Sequence, residues 1–538
     1  MQPSHNGNGN RRRNQKKKPV VNFKKRVKTA NTEFKEESGF QEEDRNMDEI
    51  RFHNDKDYED EYEDTFEQER VYEPEKQTQG IQNIVPYMGT RGDLPEGQHL
   101  EFSNSGYVMY HRAQTEWPCL SVDFILPGIS NLQNLFNVQM LENFDYPLEL
   151  YAVGGSQADF SSQNQLYIMK FMDLAKTRFD DDEVADGLEL EKDEKVQRDD
   201  IEPALISERF QLFAAVNRIR TMGYSPLTAL MNQTGQLQIF DITKNIESLK
   251  NKTPSNSAKI TDSNCTKMLG NHQLSEEGFA LNWSSAELGT LGCGTNDGVI
   301  SIFKPKDESF SEFVKIINID KAHSASVEDI VFSPIQSHVL ASASADNSIK
   351  LFDLRDPSSI MTNCISINGH KSDVNVISWN PKNSNLLASG DDDGFFKVFD
   401  LRYPTKEPLT DIHFHVDSIC SIEWQPHDEW TLAVASIDNR VSLWDLSVEN
   451  DSEGVSGLMA DTGIASEDKI PEQLLFLHQG QEELREVRWH PMYKDVMMST
   501  ALDSFNVFQP CLDSFEDIEE EEPDYIKNTH SPNDLEFN

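Results

Sequence analysis

Three histidines in this 538-residue chain stand 23 positions ahead of an aspartate: His323 before Asp346, His370 before Asp393 and His415 before Asp438. A histidine paired with a carboxylate is raw material for metal ligation or catalysis. The spacing points elsewhere. An aromatic residue follows each histidine by 9 positions (Phe332, Trp379, Trp424), and each unit closes 7 positions after its aspartate, at Asp353, Asp400 and Asp445. The aromatic-to-aspartate step of 14 recurs at Trp283/Asp297 and Trp489/Asp503. Offsets copied in this way mark a repeat architecture, so the His and Asp side chains are expected to hold a repeated unit together.

Residues 369–402 show that unit. Strand-like runs at Val374–Trp379, Leu386–Ser389 and Phe395–Phe399 are separated by the turn residues Asn380-Pro381 and Asp393-Gly394, the punctuation of an antiparallel meander. The Gly-His start and Phe-Asp or Trp-Asp end match a WD-repeat blade of about 40–45 residues. The aspartate would sit in the turn between the second and third strands and accept a hydrogen bond from the histidine. The other ring nitrogen would reach a strand Ser or Thr, because a buried carboxylate without such partners is costly.

Seven such units can be counted, so the fold is expected to be all-β, a seven-bladed WD-repeat β-propeller. Blade one runs from about Pro118 to Leu174, blade two over Ala215–Ile242 and blade three over Gly278–Pro305; blades four to six end at Asp353, Asp400 and Asp445, and blade seven spans Gln479–Pro510. Leu274 in blade three and Gly480 in blade seven replace the histidine, so these two blades should lean more on apolar packing. Blade seven supplies three strands, and the alternating stretch Tyr107–Gln114 is expected to pair with it as the closing outer strand.

The remaining sequence is not core-like. Formal net charge is −44 and mean hydropathy is −0.60. No run approaches the ~18–20 apolar residues of a membrane span, and the start of the chain lacks an apolar signal-peptide core. The six cysteines form no CxxC pair, which suits buried thiols in a reducing compartment. Charge is segregated. Residues 11–28 hold ten Lys/Arg and no acid, with Arg11, Arg12, Arg13, Lys16, Lys17, Lys18, Lys24, Lys25 and Arg26 in clusters that read as a nuclear import signal. Residues 36–75 then carry 18 acids against 4 bases, 180–202 carry 12 against 3, and 513–524 carry 8 against none. With a Ser/Gly/acid insertion at 447–470, these segments are expected to be disordered. The organisation is therefore a basic and acidic arm over 1–80, a segment over 81–116 with the closing strand at 107–114, a propeller over 117–510 with acidic insertions between blades one and two and between six and seven, and an acidic tail over 511–538. A field of this sign steers basic proteins inward and repels phosphate backbones.

Specific segments add to this. Tyr107-Val-Met-Tyr-His with Glu116-Trp117-Pro118-Cys119-Leu120-Ser121 resembles the N-terminal segment of histone-binding WD-repeat proteins. The match is closer to the glutamate-rich WD-repeat proteins of ribosome assembly, supported by Asn217-Arg218-Ile219-Arg220, Pro471–Gly480, Val487–Pro491 and Ser499–Phe508. The resemblance implies a non-enzymatic chaperone. It would bind a newly made basic large-subunit ribosomal protein (the universal one numbered three) as a monomer in a one-to-one complex and deliver it to pre-60S particles in the nucleolus. Histone binding is the alternative client reading. In the histone-binding relatives an N-terminal helix and a loop grip a client helix; here 75–100 is rich in Pro and Gly, and that site is expected where it meets 180–202.

The top rim is the commonest binding face of such propellers, and register places Glu328, Asp373, Asn375, Asp392 and Glu483 on it. Ser326, Ser418, Cys420, Asn296, Ala345 and Ile437 fall at equivalent positions. The four carboxylates would line the channel mouth and meet a basic client. No catalytic residue, metal ligand or cofactor is expected: Walker, nucleophile-elbow and zincin motifs are missing, Asp391–Gly394 lacks the spaced acids of a calcium loop, and His490 reads as a loop residue. A rival reading uses Asp353-Leu354-Arg355 and Asp400-Leu401-Arg402, which resemble the paired boxes of cullin-ligase substrate receptors.

Overall fold

The computed structural model describes residues 106–127, 140–177, 203–253, 266–404, 406–448 and 471–512. The basic clusters at 11–28, the acidic arm at 36–75, the segment 75–100, the insertion 180–202 and the tail 513–524 lie outside the described residues.

Seven four-stranded antiparallel sheets form the propeller. Their inner strands are Cys119–Ile125, Val216–Thr221, Ala280–Trp283, Val327–Phe332, Val374–Trp379, Ile419–Trp424 and Glu486–Trp489. Tyr107–Ala113 pairs antiparallel with Phe505–Pro510, from Tyr107 opposite Pro510 to Ala113 opposite Phe505. It completes blade seven from the far end of the propeller sequence, as expected, and covers a sheet edge. The segments 178–202 and 449–470 correct one expectation. Each lies between the third and fourth strands of a single sheet, Gln165–Leu174 with Ala204–Gln211 and Arg440–Asp445 with Leu474–Gln479, and not between blades. An outermost strand can be reached by a chain excursion of any length, because only its pairing to the third strand constrains it.

The core lies between neighbouring sheets. Ile300 and Ile302 of blade three pack with Ile330, Phe332, Leu340 and Phe352 of blade four, and each large side chain buried this way is worth about 1.5–3 kcal/mol. The repeat tryptophans also fasten one blade to the last. Trp283 Nε1 donates to the Arg220 carbonyl at 3.0 Å, Trp424 to Ser378 at 3.1 Å and Trp489 to Glu423 at 3.1 Å.

The polar clusters form largely as expected. His323 Nδ1 lies 3.0 Å from Asp346 Oδ2 and its Nε2 lies 2.6 Å from Ser342 Oγ. His415 meets Asp438 at 3.0 Å, and finds its hydroxyl in Ser442 at 2.8 Å. Burial opposes ionisation of Asp346, yet the Ser348 hydroxyl, the Ser324 amide and His323 hold its carboxyl well below the usual range. The residue after the turn aspartate has positive φ in four blades and is always Gly or Asn: Gly298, Asn347, Gly394 and Asn439, between 66° and 83°. At Gly394 a Cβ would lie 2.3 Å from the His415 carbonyl oxygen, so this turn tip seats against the next blade.

Blade five departs from the pattern. His370 Nδ1 pairs with Asp391 at 2.8 Å, and not with Asp393; its Nε2 reaches Ser389 at 2.7 Å. Asp391 occupies the place of Ser344 and Ser436, whose hydroxyls accept the amide two residues on. Its carboxylate takes that amide from Asp393 at 3.2 Å, another from Phe395 at 2.9 Å, and the histidine. Asp393 is left exposed. Asp391→Asn is therefore expected to destabilise the protein by about 1–3 kcal/mol, and Asp393→Asn by less than about 0.5 kcal/mol. Thermal unfolding of the two variants checks the order, and the reverse order would contradict it.

The two blades without the histidine differ. In blade three Leu274 joins an apolar cluster, as expected. Blade seven instead builds a polar cluster: buried Gln481 accepts from the Ser499 hydroxyl at 2.5 Å and donates to the Ser504 carbonyl at 3.1 Å. Behind it, buried His478 bonds the Tyr107 hydroxyl at 2.7 Å and stacks on Phe508 with ring centroids 4.2 Å apart. Gln481 supplies from the next position what Gly480 lacks. His490 is buried, and its Nδ1 accepts the Met492 and Tyr493 amides at 3.2 and 3.0 Å.

Candidate binding rim and the ion belt beneath it

In every sheet the inner strand begins beside the turn joining the second and third strands: Val327 pairs with Ser344 and Val374 with Asp391. The inner strands run the same way around the channel, since side chains of one cap successive amides of the next. All seven starts therefore share one rim.

Blades four and five bring most of the expected carboxylates to that rim. Asp392 N donates to the Asp373 carbonyl at 3.0 Å. Asn375 Nδ2 bridges from Asp392 Oδ1 at 3.5 Å to the Ile419 carbonyl of blade six at 3.3 Å. Glu328 accepts from the Ser326 hydroxyl. Burial pushes the Glu328 carboxyl up from its ordinary value; Ser326 offsets part of that and the Asp373 charge adds to it. Among the described residues, neither Glu328 nor Asp392 makes a salt bridge. Glu483 stands apart: its carboxylate is held by Arg485 at 2.9 Å and its amide by Asn439 at 2.8 Å. Of the equivalent positions, Ser418 is buried, and Cys420 Sγ turns onto the Ala435 and Leu484 carbonyls at 3.5 and 3.4 Å.

Beneath the rim lies a belt of charge that the repeat spacing does not announce. Glu486, 1% exposed, pairs with Arg220 and with Arg218 at 3.2 Å. Arg488 pairs with Asp123 and Glu423, both at 3.0 Å. The same acids tie blade to blade by accepting amides of the next inner strand: Asp123 from Thr221 at 2.8 Å, Asp329 from Ile377 at 3.1 Å, Glu423 from Trp489 at 2.8 Å and Glu486 from Val122 at 2.9 Å. The belt surrounds a cavity of about 260 Å³. Burial opposes ionisation of Glu486, but Arg220, Arg218 and Arg488 hold its carboxyl at about 2. A signal was available: Arg218/Arg220 and Glu486/Arg488 are charges two apart in strands, hence on one face.

The Asp-x-Arg boxes close on themselves. Arg402 lies on Asp400, with Nε at 2.9 Å and a terminal nitrogen at 2.6 Å, and Arg355 lies on Asp353 in the same way, Nε at 3.0 Å. Both guanidiniums sit where third strands end, opposite the rim. Among the described residues no group of three or more His, Cys, Asp or Glu is placed to hold a metal ion.

Comparison with known proteins agrees with this architecture. Residues 97–174 match the family model for the histone-binding protein RBBP4 and its counterpart in the CAF1 complex. Residues 314–353, 361–400 and 406–445 match the WD domain, G-beta repeat. The ribosome assembly protein rrb1 of Schizosaccharomyces pombe is 33% identical over 480 residues, covering 84% of this chain and 92% of that protein. The protein HEAT STRESS TOLERANT DWD 1 of Arabidopsis thaliana is 33% identical, over 81% of this chain and 94% of its own length. The glutamate-rich WD repeat-containing protein 1 of Dictyostelium discoideum is 32% identical, over 77% and 83%. With its seven blades, its closing strand and these full-length relatives, the chain belongs to the family of glutamate-rich WD-repeat ribosome-assembly proteins, related to the histone-binding WD-repeat proteins.

Proposed function

We propose that this protein is a non-enzymatic assembly factor. It holds a newly made, basic large-subunit ribosomal protein (the universal one numbered three) in a one-to-one complex and delivers it to pre-60S particles in the nucleolus. The observation that carries this reading is the carboxylate group of Glu328, Asp373 and Asp392 at one rim of a chain with a net charge of −44. Glu328 is partly desolvated beside another acid, an arrangement that costs free energy until a cation arrives. The family supports the ribosomal direction, and the basic clusters from Arg11 to Arg26 would supply nuclear import. Release would follow competition by pre-ribosomal RNA for the client's cationic surface, with no nucleotide step.

Affinity purification of the tagged chain from nuclear extract, with mass spectrometry of stoichiometric partners, tests this. One dominant basic large-subunit ribosomal protein is expected. Core histones, or a ligase adaptor without a basic client, would replace the reading.

The raised pKa of Glu328 also sets a pH dependence. Binding a cation favours the ionised carboxylate, so affinity should fall as pH drops from neutral, beginning above the ordinary glutamate range. Glu328→Gln should lower affinity at neutral pH and flatten that early loss. An unchanged pH profile in the variant would contradict the assignment.

A further inference from the structure

The rim carries an apolar region as well as charge, across the ring from Glu328 and Asp392. Phe213 is 79% exposed in the connection from blade one to blade two, and Phe160 is 67% exposed in the turn between the second and third strands of blade one. Leu502, 47% exposed, occupies the equivalent turn of blade seven. These turns belong to the same end as the carboxylates, because Gln165 pairs with Gln211 and Cys119 with Ser156.

The aromatic rings are presented on braced backbone. Leu212 N donates to the Asn164 carbonyl at 2.8 Å, and Gln211 Nε2 reaches the Ser162, Asn164 and Leu212 carbonyls at 2.6, 2.9 and 2.8 Å. Buried Asn164 in turn accepts the Ala158 amide at 2.7 Å. Leu502 N is fixed to the Glu482 carbonyl at 3.0 Å. Exposed aromatic rings on a rigid frame characterise a recognition surface. The connections bearing them, 114–118, 157–164, 212–215 and 501–504, contain Glu116, Asp159 and Asp503 and no Lys or Arg. The partner this region complements is therefore apolar in its side chains and cationic around them.

We infer that Phe160, Phe213 and Leu502 form an apolar anchor site for the same basic client, taking apolar side chains of the client while the carboxylates of blades four and five take its Lys and Arg. This rests on the chaperone reading and adds to it: the client is recognised by two chemistries on one rim. It also separates the client from a generic polycation, which would engage the charges alone.

The test uses the full chain, the purified universal ribosomal protein numbered three and poly-lysine, each titrated from low to high salt. In F160S/F213S, affinity for the ribosomal protein should fall about tenfold, as for the loss of a buried aromatic contact. The decline with salt should keep its wild-type slope, and poly-lysine binding should not change. Both rings are exposed, so the unfolding midpoint should stay at the wild-type value. Equal affinity of variant and wild type for the ribosomal protein overturns the anchor alone, as does an equal loss with poly-lysine. Failure of the wild type to bind the ribosomal protein at any salt overturns the chaperone reading and the anchor with it.

Discussion

Replacing Glu328, Asp373 and Asp392 by lysine is expected to weaken binding of the basic client by about 2–5 kcal/mol, roughly thirtyfold to a few thousandfold. The contributions should be unequal. Asp392 is exposed, and an exposed ion pair is worth about 1 kcal/mol or less. Glu328 is partly buried and shares its surroundings with Asp373, so its pairing with a client cation is less screened and should dominate. Loss of affinity should be greatest at low salt and shrink as salt screens the exposed charges. Isothermal titration of the triple variant against the purified client measures this, and unchanged affinity at low salt would remove the rim carboxylates from the site.

The largest expected effect on stability lies in the belt below. Glu486→Leu would leave Arg218 and Arg220 without their shared carboxylate and the Val122 amide without its acceptor. Breaking a buried pair by removing one partner costs about 3–5 kcal/mol, far more than any rim substitution. Denaturant unfolding of the variant checks it, and a loss below about 1 kcal/mol would show that the belt is not structural. The wild-type carboxylate also gives a pH signature. Its folded pKa of about 2 lies below the ordinary 4.5, so it contributes stability that is complete above the ordinary value. That stability is lost as pH falls through 4.5 toward 2.

Much of the fold is legible in the chain because repeats state their own constraints. The His–Asp offset of 23 locates two of three clusters to the residue, and the alternation at Tyr107–Ala113 identifies the strand that closes the ring. Blade five breaks the rule because three consecutive aspartates, Asp391 to Asp393, all satisfy the composition. Only the buried position of the first, where a serine stands in its neighbours, decides which carboxylate meets His370. In blade seven a missing histidine does not mean a missing polar cluster, since Gln481 satisfies Ser499 from one position further on. The ion belt is hidden for a different reason. Its pairs join residues such as Asp123 and Arg488, 365 positions apart in sequence, and repeat spacing carries no information about contacts across the channel. Register brings Asp373, Asn375 and Asp392 together on the rim, but it cannot show that Arg485 already engages Glu483.

The central claim is that one acidic rim accommodates one basic client. The most direct measurement is to co-express the chain with the universal large-subunit ribosomal protein numbered three and determine the mass of the purified species by light scattering. A soluble one-to-one complex is expected, with the ribosomal protein insoluble or nucleic-acid-bound when expressed alone. If the two do not co-purify, or if core histones displace the ribosomal protein at equal concentration, the account of the client is wrong even though the propeller stands.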